Sequence, residues 1–157
     1  MKKASKIIFS LILLSICVGG IFLYHNNEEI KRQYNIGVQE TQDAFRDFNN
    51  LVLSLLENQD QDIDFETFSN SFTSLEVSMS YWAPIFADVA ENKELPYNNA
   101  TLSLEGTVSD ISIDIKTLYH GIVHMRYLQD NSSHTYSQLV QLHKKIQDQM
   151  NIILVKW

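Results

Sequence analysis

Cysteine appears once in these 157 residues, proline twice and glycine five times. A lone cysteine excludes an internal disulfide framework and any cysteine-rich zinc or iron–sulfur centre. Scarce proline and glycine, beside 11% aromatics, argue against a disordered chain. Basic residues are also few, twelve against nineteen acidic ones, for a formal net charge of −7. Phosphate contacts need a basic face, so nucleic acid is not an expected partner. A Gly-rich phosphate loop, a nucleophile elbow and paired carboxylates in a concave setting are missing too, and no enzyme activity or cofactor is expected. The length suits one domain plus an accessory segment.

What is present begins at the first residues. Met1 to Lys6 carries Lys2, Lys3 and Lys6 and no acid, and an apolar run from Ile7 to Tyr24 follows. As a helix that run spans about 27 Å, close to the ~30 Å hydrocarbon core of a bilayer. Lysines ahead of such a run stay in the cytoplasm, which puts the rest of the chain outside the cell membrane. The expected division is therefore 1–25, cytoplasmic lysines and signal anchor, and 26–157, an extracytoplasmic domain.

An uncleaved anchor fits best, because Ile21, Phe22 and Leu23 prolong the run past Cys17. A cleaved leader would use Val18-Gly19-Gly20. Lipidation of Cys17 is the third reading: Leu14 and Ser15 suit a lipobox, whereas Ile16 stands where a small residue belongs. Beyond residue 25, nine basic residues face nineteen acidic ones, a net charge of −10. Such a surface disfavours close contact with anionic lipid.

Apolar residues recur at three- and four-residue steps in four later segments. They are Ile30, Tyr34, Gly37/Val38, Thr41, Phe45, Phe48, Val52 and Leu55; Phe65, Phe68, Phe72, Leu75, Met79, Trp82 and Phe86; Leu104, Val108, Ile111, Ile115, Leu118, Ile122 and Met125; and Tyr136, Leu139, His143, Ile146, Met150, Ile153 and Trp157. Each set makes one helical stripe, and four stripes bury one another. Asp62 or Asp64 is placed to cap the second helix, and Ser132 or Ser133 the fourth. Pro84 should bend or end the regular part of the second. Short connections make neighbours antiparallel. The expected fold is all-α: an N-terminal transmembrane helix followed by an up-down-up-down antiparallel four-helix bundle. Residues 108–115 also alternate apolar and polar, a strand signal that the 3/4 spacing outweighs by its length.

This topology collects Tyr34, Trp82, Phe86, Leu104 and Trp157 in an aromatic layer near the bilayer, with Leu95-Pro96-Tyr97 in the loop below. His143 takes an apolar place in the fourth stripe and reads as a core histidine bonded to Tyr119. His120 and His124, at i and i+4, have a spacing that chelates a transition metal, yet no carboxylate lies one turn away on their face. They read as solvated histidines, and no metal is expected. Asp60 to Glu66 alternates oxygen ligands like a calcium loop, but Phe65 stands where that loop needs Gly and Ser71 where it needs a bidentate acid. Glu57, Asp60, Asp62, Asp64, Glu66 and Asp130 instead gather as an acidic tip, a place for a protein partner to dock. Asn99-Ala100-Thr101 and Asn131-Ser132-Ser133 match glycosylation tripeptides.

Three functions suit this layout. One is a non-enzymatic interaction protein that binds or obstructs a partner at or outside the membrane. The second is a ligand-sensing bundle acting with another subunit, and the third is a cation binder at the acidic tip or at His120 and His124. With Lys2, Lys3, Lys6, the Ile7–Tyr24 anchor and a small helical ectodomain, the chain resembles the membrane-anchored superinfection-exclusion proteins encoded by prophages of Gram-positive bacteria. The resemblance is one of layout along the whole chain. It implies a block on DNA entry by an incoming phage.

Overall fold

The computed structural model describes residues 2–57, 62–91, 104–128 and 135–154; the side chains of residues 2–13, 16, 87–91, 104–108 and 153 lie outside that description. Among the described residues the regular structure is all helical. It comprises α1 (Lys2–Glu57), α2 (Phe65–Glu91), α3 (Leu104–Val123), a π-helical turn (His124–Leu128) and α4 (Tyr136–Ile153). The alternating segment 108–115 falls inside α3. A strand there would have shown one apolar face over eight residues, whereas the helix gathers Ile111, Ile115, Leu118 and Ile122 on one buried side.

Two compact units divide the chain, Met1–Gln33 and Tyr34–Trp157. In the first, Leu14, Val18, Ile21, Phe22, Leu23 and Tyr24 are exposed. Glu29 accepts hydrogen bonds from Arg32 at 2.6 and 2.9 Å and from Gln33 at 2.9 Å. The Arg32 bonds, with help from Gln33, pull the Glu29 carboxyl down to about 2. Among the described residues no helix is long and apolar enough to cross a membrane. Much of the expected anchor, Ile7–Leu13 and Ile16, has its side chains outside the described residues.

The second unit is a helical bundle, and its cross-helix pairs fix the direction of each helix. Between α1 and α2, Phe48 meets Phe68 and Phe72, Thr41 Oγ1 lies 3.0 Å from Ser78 Oγ, and Tyr34 meets Phe86 edge-on. Numbers rise along one helix as they fall along the other, so the pair is antiparallel. Lys116–Glu76 and Tyr119–Ser69 set α3 against α2 in the same sense. Lys145–Asp114 joins α4 to α3, and Gly121 packs against Leu139 on the same seam. Asn49–His143 and Gln42–Leu154 close α4 onto α1.

The core follows the stripes. Val38, Val52, Leu75, Ile111, Leu118, Leu139, Ile146 and Met150 are all sealed from solvent. Some expectations are corrected at the helix ends. Phe65 and Tyr136 are about half exposed, because each opens its helix and its side chain leans back past the first turn. Met125 is only half-buried, since the α register stops at Val123. Pro84 does not end the helix: α2 continues through it to Glu91. A proline removes the single bond to the carbonyl four residues back, and the burial of Trp82 and Phe86 on either side holds the helix together. Leu104 and Trp157 of the expected aromatic layer lie outside the described side chains, as do Leu95, Pro96, Tyr97 and both glycosylation tripeptides.

Thr135, not Ser132 or Ser133, caps α4. Its hydroxyl accepts from Gln138 N, and Gln138 Oε1 accepts from Thr135 N at 2.8 Å, a reciprocal capping box. Thr135→Ala should therefore cost about 1 kcal/mol in chemical denaturation. A change within measurement error would show that the box adds nothing to the bundle.

Candidate functional site

Three places hold the residues singled out by sequence. The first is the bundle end where α1 finishes and α2 begins. Glu57, Asp62, Asp64 and Glu66 are exposed there, while Asp60 and Asp130 lie outside the described residues. Asp64 is engaged as the cap of α2, since Thr67 N and Thr67 Oγ1 donate to its carboxylate at 2.7 and 2.8 Å. Those bonds, the backbone one foremost, hold its carboxyl below the usual carboxylate range.

Two tyrosines tie the same end. Tyr127 Oη donates to the Ile63 carbonyl at 2.9 Å, and Tyr136 Oη donates to the Leu56 carbonyl at 3.0 Å. Burial pushes the Tyr127 phenol up. Its ring meets Phe65 edge-on and lies parallel to Phe68.

The second place is the histidine pair. His120 is exposed on α3 with its ring edge-on to Tyr119 at 5.4 Å. His124 is half-buried and opens the π-helical turn, so the pair does not share an unbroken α-helical face as its spacing suggested. Wider winding there rotates every following side chain relative to α3. Among the described residues no group of three or more His, Cys, Asp and Glu is placed to hold a metal ion.

The third is a polar seam inside the bundle. His143 is only 5% exposed, and its Nε2 lies 2.7 Å from Asn49 Oδ1. Gln147 Nε2 donates to the same oxygen at 2.9 Å. Tyr119, the partner expected from sequence, is committed elsewhere: its ring lies flat on Phe72 at 4.0 Å and its hydroxyl donates to Ser69. Burial holds the His143 imidazole below the usual histidine range, partly offset by the Glu57 charge. Sequence reading also missed Glu40, which accepts from Trp82 Nε1 at 2.9 Å, and Gln42, whose amide donates to the Leu154 carbonyl at 2.6 Å. The signal available for both was a polar residue flanking an apolar stripe, where a neighbouring helix must come close.

A groove of about 380 Å³ also runs between α2 and α3, lined by Met79, Ser80, Ala83, Ser109, Ser112, Ile113 and Lys116. No family model matches this chain, and neither a curated protein nor a solved structure does.

Proposed function

We propose that the chain is a membrane-anchored, non-enzymatic protein whose extracytoplasmic up-down-up-down four-helix bundle binds and obstructs a partner protein. The resemblance in layout to superinfection-exclusion proteins gives the specific form: blocking the entry of phage DNA. The observation that carries this reading is the leader. After Lys2, Lys3 and Lys6, the large apolar side chains described between Leu14 and Tyr24 stand 60–72% exposed within the chain. Water is a costly neighbour for so contiguous an apolar surface, and hydrocarbon removes that cost. Lysines on the near side then set the orientation. The acidic remainder keeps the bundle off anionic headgroups and steers a partner of opposite charge.

Two measurements test the parts separately. Protease applied to intact cells should remove a C-terminal tag from a chain that fractionates with the membrane. Expression of the full chain should lower the plating efficiency of infecting phages, and removal of residues 26–157 should restore it. Normal plating with the tag shaved from outside would discard exclusion and keep the anchor. A chain recovered in the soluble fraction would discard both. Ligand sensing is the second reading, and the groove between α2 and α3 favours it: small side chains open the groove and three serine hydroxyls line it.

A further inference from the structure

We propose that His143 is an acid-sensitive clasp: neutral, it holds α4 against α1 through Asn49, and protonated, it releases α4 from the bundle. Both hydrogen bonds at Asn49 Oδ1 come from donors, so His143 presents Nε2–H and its Nδ1 carries no proton. Both lone pairs of that oxygen are then in use. Protonation adds a second N–H and a full charge to a residue 5% exposed. One turn away on either side of it, Leu139 and Ile146 are fully buried, and Asn49 sits between the buried Phe48 and Val52. An imidazolium there must draw in water, and it gains that water when α4 moves off α1.

The surrounding charges do not supply a substitute. Arg46 of α1 pairs with Asp43 and Asp47 in solvent. Glu76 of α2 is paired with Lys116 of α3, and Asp114 of α3 with Lys145 of α4. Tyr119 of α3 is bonded to Ser69, and Lys144 of α4 is exposed. Glu57 of α1 favours the charged ring, but it is exposed two turns along from Asn49, and burial outweighs it. The sign follows. A histidine held below its ordinary value contributes its full stability above about 6.5, and that stability drains away as the pH falls below it. Acid therefore opens the seam. The clasp belongs to the bundle alone and operates whether or not the chain excludes phages.

The test uses the isotope-labelled full chain in detergent micelles between pH 7.5 and 5.5, above the range where the carboxylates titrate. The His143 ring should titrate below about 6.5. Amide protection of Leu139–Met150, corrected for the pH dependence of exchange chemistry, should fall several-fold, up to about tenfold, with α2 and α3 little changed. His143→Gln supplies a non-titrating donor and should keep its protection at both ends of the range. A His120→Gln/His124→Gln variant should behave as wild type. A ring that titrates at or above the ordinary value, α4 protection indifferent to pH, or the same acid loss in His143→Gln would each overturn the proposal. Should His143→Gln fail to fold, the ring titration and α4 protection of the wild type still decide it.

Discussion

Phe68→Ala should cost the bundle about 3–5 kcal/mol, a large share of the ~5–15 kcal/mol by which domains are stable. Phe68 is fully buried, and its ring centroid lies 5.7 Å from Phe48, 5.3 Å from Tyr119 and 6.2 Å from Tyr127. One ring thus joins α1, α2, α3 and the π-helical turn. Truncation removes its transfer energy and leaves a hole that three rigid neighbours cannot close. Phe65, one turn earlier and 47% exposed, provides the contrast. Its alanine variant should lose no more than about 1 kcal/mol. Urea denaturation followed by circular dichroism separates the two, and equal losses would show that the aromatic cluster is not where the bundle's stability lies.

The second large effect comes from adding an atom. A Cβ on Gly37 would stand 2.7 Å from Cδ2 and Cε3 of Trp82 and 2.9 Å from its Cγ. That ring is 8% exposed and pinned by its Nε1 bond to Glu40, so it cannot turn aside. Overpacking of this kind costs about 1–3 kcal/mol or more, against the ~1 kcal/mol of helix propensity that alanine returns. Gly37→Ala should therefore destabilise, reversing the usual outcome for glycine to alanine within a helix. In a Trp82→Leu background the same change should turn neutral or stabilising, and a cycle of four proteins reads the coupling. Additivity in that cycle would show that glycine and indole do not meet.

Those two residues also mark how far the sequence could be read. Phe68 announced itself by periodicity, and so did nearly all the sealed positions of α1 and α2. Gly37 occupied a stripe position, but spacing alone could not say that an indole lay across it. Tyr119 shows the same limit. Its helix was expected, while the choice between Phe72 and His143 as its neighbour depended on how α2, α3 and α4 rotate about their own axes. Periodicity fixes a face and leaves that rotation open. Polar residues beside the stripes, such as Asn49 and Glu40, then settle it through bonds that no single helix reveals. At the acidic end the composition was legible, and so was a cap at Asp62 or Asp64, whereas the choice of Asp64 needed the position of Thr67 relative to its carboxylate.

The helices of the bundle are not tied by the same kind of bond. On both flanks α3 is strapped by full charges, to Glu76 through Lys116 and to Lys145 through Asp114, whereas α1 meets α4 through amides, an imidazole and a phenol. Dissolved ions weaken the first kind and leave the second nearly untouched. A salty medium thus slackens one side of the molecule in preference to the other, while an acidic one acts on the opposite side.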